Sequence, residues 1–228
     1  MIKKLFLLLI LLSQLYFNPV FAHVLHYQNL NKLEFDLYRN NQLIGKHIYL
    51  FNRSGKNLTV QNKINFKIKI FDITLYSYSS EGQEKYVDGK FDSFSAKTNH
   101  NKKEKFCKIY KNKENKFIIE RSSYKGNAPE DFIIGTWWNH EIIKYRTQIS
   151  VGSGRIIEQT VRFIGKETIE INNEVYTALK FNFFSSAPSL SKDRKLNTEV
   201  WYDEKSLMWL KTSFEKTGNW EYRLKYFN

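Results

Sequence analysis

An alternation of apolar and polar residues near the carboxyl end constrains the fold more than any other feature of the sequence. It runs from Glu199 to Tyr226 with polar breaks at 203–206 and 216–219. Its most regular apolar positions are Trp220, Tyr222, Leu224 and Tyr226. A period of two is typical of a β-strand with one buried face. We predict three antiparallel strands in a meander, whose aromatic face needs a large partner surface.

The same alternation continues through most of the sequence upstream, with turn signals at short intervals. The longest predicted strand begins at Val60, and its apolar parity slips by one residue at Ile70–Phe71, so the strand must end, bend or bulge there. Val87-Asp88-Gly89-Lys90 is typical of a hairpin turn. Gly45 inside a strand indicates a bulge or a close backbone approach.

Together these segments predict an all-β fold. We expect one domain, residues 34–228, built as a single antiparallel, strongly curled sheet or partly open barrel of about a dozen strands. One or two short helical segments are expected, the first at Pro129 with Asn127 as its N-cap.

The first residues resemble a cleavable export signal. Lys3 and Lys4 precede a short apolar run, and Val20-Phe21-Ala22 ends it. We therefore predict a signal peptide at 1–22, a flexible leader at 23–33, and a periplasmic or secreted location. The apolar run is shorter than the ~20 residues that span a bilayer, and no later segment is as apolar, so no transmembrane segment is expected in the mature chain.

The charge of the chain bears on its partners. The formal net charge is +13. An exported basic protein meets anionic lipid or envelope polymers, and we expect no nucleic-acid partner. The lysines are also consistent with a solvated surface, because they are spread through every predicted strand. Cys107 is the only cysteine, so no internal disulfide is expected, and its strand context indicates a buried, unreactive thiol.

No pattern in the sequence indicates catalysis. The five histidines form neither a nucleophile elbow nor a metal-binding pair at helical spacing, so we predict no enzyme, catalytic residue, metal or cofactor. One alternative concerns His23, which cleavage after Ala22 would expose. Its amine and imidazole suit Cu(II), which would make the protein a copper-dependent oxidoreductase.

Aromatic residues make up 16% of the chain and point to binding. The candidate ligand-binding residues are Trp137, Trp138, Asn139, His140, Trp201 and Tyr202. The prediction is an exported protein that binds an amphiphilic or lipid-like ligand in an aromatic-lined groove. The alternative is that these rings fill the core of a structural or partner-binding envelope protein that has no ligand.

Several motifs, taken in order, resemble a known family. They are Phe35-Asp36-Leu37-Tyr38, Ile44-Gly45-Lys46-His47, Phe71 to Tyr78, Val87-Asp88-Gly89, Trp137-Trp138-Asn139 and Trp201-Tyr202-Asp203. Their order and spacing are similar to the secreted proteobacterial domain-of-unknown-function family 6134. The chain departs from that family at 204–206 and 217–219. The resemblance implies a fold similar to the curled sheets of periplasmic lipoprotein carriers, and it brings no established catalytic residues.

Overall fold

The structure is a computed structural model that describes residues 27–185, 190–191 and 195–228. The predicted signal peptide and His23 lie outside these residues. The strands are β1 Lys32–Arg39, β2 Gln42–Ser54, β3 Asn57–Ile70, β4 Ile73–Val87, β5 Lys90–His100, β6 Lys103–Lys111, β7 Phe117–Arg121, β8 Tyr124–Asn127, β9 Ile133–Ile134, β10 Thr147–Ile149, β11 Ile156–Glu158, β12 Thr160–Ile171, β13 Glu174–Phe184, β14 Asn197–Asp203, β15 Trp209–Glu215 and β16 Asn219–Phe227.

Thirteen strands form one antiparallel sheet in the order β12-β13-β14-β15-β16-β1-β2-β3-β4-β5-β6-β7-β8. The all-β antiparallel prediction is confirmed, and so is the final meander, β14-β15-β16. Two details differ. The described residues contain sixteen strands instead of about a dozen, because β9, β10 and β11 form a second small sheet. The large sheet is also open, with β12 and β8 as its edges, and it is neither closed nor strongly curled, so the predicted strong curl and partly open barrel were wrong.

The connection between the two edges gives the molecule its second layer. The chain leaves the sheet at β8 and rejoins it at β12, on the opposite edge. Residues 128–159, here called the strap, must therefore cross one face of the sheet. They pack on the inner face, the side toward which Leu33, Phe35 and Leu37 point from β1, and bury Trp138 and Ile142 there.

The core lies between the inner face and the strap. Alternation buries every second residue of the central strands, as in β3, where Leu58, Val60, Asn62, Ile64 and Phe66 are buried. A large cluster spans β1–β4, β13–β16 and the strap, and a smaller one joins β5–β7 to β9 and β10. Cys107 belongs to the smaller cluster, where burial raises its thiol pKa to about 11, so the prediction of a buried thiol is confirmed.

Local turn chemistry explains the hairpins. The parity slip is resolved by ending β3 at Ile70 and turning at Phe71-Asp72, both of which have positive φ. Asp88-Gly89 forms the predicted turn, also with positive φ. Gly45 fulfils both of its predicted roles. The β1–β2 register shifts beside it, and a Cβ there would lie 2.1 Å from the Asn65 carbonyl oxygen.

One local prediction was wrong. No helical turn forms at Pro129, because Asn127 ends β8, where it pairs with Ile118. A 3-10 helix forms instead at His140–Lys144, capped by the Asn139 side chain, which accepts a hydrogen bond from the Glu141 backbone N–H.

The predicted flexible leader, 23–33, also differs in the part that the structure describes. Tyr27, Leu30 and Leu33 are buried, and β1 begins at Lys32 instead of Glu34. The Arg53 guanidinium holds this segment by donating to the Leu30 carbonyl over 2.6 Å. Apolar side chains at these positions supply the burial energy that an extended leader would lose.

Candidate functional site

The strap places Trp137 and Trp138 in different surroundings. Trp138 is fully buried, edge-on to Phe51 and Tyr86 at ring-centroid distances of 5.2 and 5.9 Å. Trp137 is half-buried and packs on Trp209 at 5.6 Å. Trp138 is therefore a core residue, whereas Trp137 is partly accessible.

A buried carboxyl group anchors Trp138. The Trp138 indole N–H donates to Glu84 Oε1 over 3.1 Å, and the Tyr86 hydroxyl donates to Oε2 over 2.7 Å. Glu84 is fully buried, and this burial raises its pKa to about 7. Two donors satisfy the carboxylate in part, so the contact fixes the centre of the strap to β4.

Asn139 and His140 are also buried and serve the packing of the strap. Asn139 caps the 3-10 helix. His140 Nδ1 is hydrogen-bonded to the Tyr27 hydroxyl at 3.2 Å, and that hydroxyl donates to the Leu207 carbonyl over 2.6 Å. These contacts tie the strap to the segment before β1 and to the β14–β15 turn.

The structure does not bring Trp201 to the other candidate residues. Trp201 lies on the outer face, where its indole N–H donates to Glu167. Lys180 and Lys211 cover the ring, with ammonium nitrogens 4.8 and 5.0 Å from its centroid. Both contacts are cation–π interactions, and the two lysines keep the Trp201 ring buried although it lies on the outer face. Tyr202, the next residue, points to the inner face and is buried.

An aromatic group on the inner face forms the best candidate site. We call it the Trp209 cluster; its members are His47, Tyr49, Asn62, Trp137, Tyr202, Trp209 and Tyr222. His47 lies 4.4 Å from Tyr49 and 6.4 Å from Trp209, ring centroid to ring centroid. Asn62 is opposite Tyr49 in the β2–β3 register, and Tyr202 is opposite Trp209.

Five polar atoms of the Trp209 cluster are buried and find no hydrogen-bond partner in the part of the chain that the structure describes. They are His47 Nδ1, both amide atoms of Asn62, Trp137 Nε1 and the Tyr202 hydroxyl. A buried polar atom without a partner costs about 1–3 kcal/mol, so such a concentration needs an explanation. Gly82 makes room for Asn62, because a Cβ there would lie 2.9 Å from the Asn62 amide nitrogen.

The Trp209 cluster is electrically neutral over the physiological range. Burial lowers the His47 pKa to about 3, so its imidazole is uncharged. Burial raises the pKa of Tyr222 and Tyr49 above the ordinary tyrosine value. The cluster thus offers uncharged donors and acceptors beside aromatic faces, which suits binding better than acid–base catalysis.

Six residues of this region were not among the predicted site residues: His47, Tyr49, Asn62, Glu84, Trp209 and Tyr222. Asn62 gave a signal, because it is the polar residue at an apolar position of the series Val60 to Phe66. His47 lies in a motif of the family resemblance but had no pattern of its own.

Three further findings concern other kinds of site. On the outer face an open groove of about 670 Å³ crosses β2 to β6, with Ile48, Leu50 and Phe106 among its lining. Within residues 27–185, 190–191 and 195–228, no three His, Cys, Asp or Glu side chains come close enough to hold a metal ion. None of the described helices has the length and apolar character needed to cross a membrane.

Comparison with known proteins places the chain in a family. A family model described as "Domain of unknown function (DUF6134)" matches residues 35–225. The chain belongs to this family. No curated protein matches this DUF6134 chain.

A solved structure supports the architecture. The DUF6134 chain is similar to the crystal structure of a β-barrel-like protein of domain of unknown function DUF1849 from Brucella abortus. The TM-score is 0.61 at 11% identity, covering 87% of this chain and 97% of that one. At this identity the similarity shows the fold alone.

Proposed function

We propose that this DUF6134 protein is an exported, non-catalytic binding protein that holds an amphiphilic or lipid-like ligand at the Trp209 cluster, between the sheet and the strap. The observation that carries the proposal is the set of five buried, unpartnered polar atoms among aromatic rings. Binding pockets combine apolar and aromatic walls with a few convergent polar groups, and this set has that composition.

The chemistry of the cluster restricts the ligand. The polar atoms belong to an imidazole, a carboxamide, an indole and a phenol, so they recognise a group that donates and accepts hydrogen bonds without needing a counter-charge. The rings of Trp209, Tyr222 and Phe35 provide the apolar surface, with Phe35 stacked on Trp209 at 3.7 Å. The ligand therefore has an uncharged polar end and an apolar body.

The route into the site follows from the packing of Trp137. Trp137 is half-buried, whereas its neighbours Trp138 and Asn139 are buried. The Trp137 side of the strap is the more accessible one, so it provides the entrance. The Glu84–Trp138 contact then keeps the rest of the strap in place.

Export is supported by the first twenty-two residues alone. A charged start, an apolar run and Val20-Phe21-Ala22 are typical of a cleaved signal. Expression in a Gram-negative host, followed by osmotic shock and amino-terminal sequencing, should give a periplasmic chain that begins at His23. Full-length protein confined to the membrane pellet would contradict export.

The binding proposal is tested with Asn62→Leu, which replaces the unpartnered amide by an apolar side chain of similar size. Gently purified wild-type protein should release a small amphiphile on organic extraction and show the corresponding mass in native mass spectrometry. Asn62→Leu should lose that molecule while staying folded. Asn65→Leu, on the exposed face of the same strand, is the matched control and should keep it.

The same experiment tests the alternative that the rings are only core. Full burial of Trp138 and Glu84 favours a structural or partner-binding envelope protein without ligand. In that case wild-type protein carries no molecule, and extraction leaves its melting temperature unchanged. Asn62→Leu then becomes more stable by about 1 kcal/mol, because two unsatisfied polar atoms are removed.

A further inference from the structure

The β3–β4 hairpin extends beyond the last positions at which β3 pairs with β2 and β4 pairs with β5. The β2–β3 pairing ends at Gly45–Phe66, and the β4–β5 pairing ends at Tyr78–His100, whereas β3 and β4 stay paired to Ile70–Ile73. Residues 67–76, here called the ribbon, thus have two free edges. Four residues beyond Phe66 carry the tip about 14 Å past the last position at which β3 pairs with β2.

The tip of the ribbon is apolar and exposed. The exposed fractions are 52% for Ile70, 94% for Phe71, 66% for Ile73 and 57% for Leu75. These are four large apolar side chains within six residues, and Ile70 and Ile73 lie opposite each other on one face of the ribbon. A contiguous apolar surface of this kind marks an interaction site.

The backbone conformation of the turn makes a phenylalanine at position 71 unusual. Phe71 has φ 47°, in the left-handed region that a bulky side chain rarely adopts. The equivalent turns at Asn40-Asn41 and Asn172-Asn173 use asparagine for the same conformation. Phenylalanine is therefore not there for the turn, and its exposed position indicates a role in contact with another surface.

Basic residues lie on the ribbon and on the hairpin next to its base. Lys67 and Lys69 lie on the ribbon, and Lys102, Lys103 and Lys105 lie on the adjacent β5–β6 hairpin. The Ser77 backbone joins the two hairpins by hydrogen bonds to Asn101. Asp72 and Glu104 are the acidic residues of the ribbon and of residues 101–105, so lysines outnumber carboxylates there.

We propose that the ribbon docks the protein on an anionic phospholipid bilayer surface. Ile70, Phe71 and Ile73 enter the boundary between head groups and acyl chains, and the lysines meet the lipid phosphates. An apolar tip with lysines on the same ribbon and on the neighbouring hairpin is the arrangement that such a surface favours. The ribbon contains no residue of the Trp209 cluster, and its docking does not depend on a ligand there.

The test is co-sedimentation of the mature protein with vesicles of phosphatidylcholine, alone or with about 30% phosphatidylglycerol. Wild-type protein should bind the anionic vesicles and be released by salt. Phe71→Asn should weaken binding about tenfold or more through lost apolar contact, while asparagine suits the turn and keeps the fold. Val175→Asn is the control, since Val175 is 72% exposed beside another hairpin turn; it should bind like wild type.

Three outcomes would overturn the proposal. Equal binding of wild type and Phe71→Asn would exclude the ribbon, and equal binding to both vesicle types would exclude the anionic surface. Dimerisation in sedimentation velocity that Phe71→Asn abolishes, without vesicle binding, would assign the tip to a second copy. Phe71→Asn should retain any co-purified amphiphile. Its loss of vesicle binding would then be distinct from a failure of ligand binding at the Trp209 cluster.

Discussion

At the scale of single residues, Glu84 is the group whose environment has the clearest energetic consequence. Its carboxyl pKa is raised from 4.5 to about 7, because burial disfavours the charged form. The folded state therefore holds its proton more tightly than the unfolded state does. The contribution of Glu84 to stability is greatest below pH 4.5 and falls by up to about 3 kcal/mol as the pH rises to 7.

Glu84→Gln should remove this fall, because the amide stays neutral at every pH. In urea denaturation from pH 4 to 8, the free energy of unfolding of the variant should rise by about 3 kcal/mol relative to that of wild type across that range. Glu81→Gln, on the exposed face of the same strand, should change stability by less than about 0.5 kcal/mol at any pH. A constant difference between Glu84→Gln and wild type would show that the buried carboxyl does not titrate there.

The sequence allowed some residue positions to be predicted and not others. Cys107 was expected to be buried because it lies within a predicted strand, and it is. Trp201 was grouped with Trp137 because both are tryptophans. Trp201 lies next to Tyr202 in β14, however, and adjacent residues of a strand face opposite sides of the sheet, so only one of the two can face the strap. Which side Trp201 takes depends on the bulge between Trp201 and Tyr202, a feature that no local pattern shows.

At the scale of the element, the β2–β3 pair depends on Gly45. A Cβ there would lie 2.1 Å from the Asn65 carbonyl oxygen and 2.6 Å from the Phe66 Cα. Both are backbone atoms of a paired strand, so no side-chain rotation relieves the clash. Gly45→Ala should lower the free energy of unfolding by about 2–4 kcal/mol.

The comparison for this prediction is Gly55→Asn in the next turn. Gly55 has φ 58°, which asparagine tolerates, and a Cβ added there would meet no atom within 4 Å. The stability of this variant should stay within about 0.5 kcal/mol of wild type in chemical denaturation. Similar losses for both variants would mean that general glycine flexibility, and not the close approach, explains Gly45.

Hairpins were predictable because their causes are local. Asn-Asn and Asp-Gly pairs between alternating segments specify a turn whatever surrounds them. The strap was not predictable in this way. Its course from β8 to β12 follows from the order of strands in the sheet, and its buried residues are fixed by contacts to β2, β4 and β16.

At the scale of the whole molecule, stability should be uneven across the sheet. β1 lies at the centre, and its apolar residues are fully buried, whereas β8 is a four-residue edge strand with exposed side chains. The smaller core cluster lies at the β5–β7 end. Amide hydrogen exchange should therefore be slowest in β1, β16 and β2 and much faster in β7 and β8.

Exchange that is uniformly slow from β1 to β8 would show that the two core clusters act as one unit.

The sequence predicted the fold class because period-two alternation and frequent turns admit few other solutions. It could not predict the strand order, since the pairing of β1 with β16 joins residues that are far apart in sequence.

That pairing has a consequence for how the protein is made. Leu37 lies opposite Tyr222, so the centre of the sheet combines an early strand with the last strand of the chain. A chain that passes through an export channel amino end first delivers β1 long before its neighbour β16. Until then β1 has one paired edge and no complete core, and such long-range closure is slow. In the proposed export, the late arrival of β16 thus keeps the polypeptide unfolded while it passes through the channel. The core forms only when the carboxyl-terminal meander has emerged.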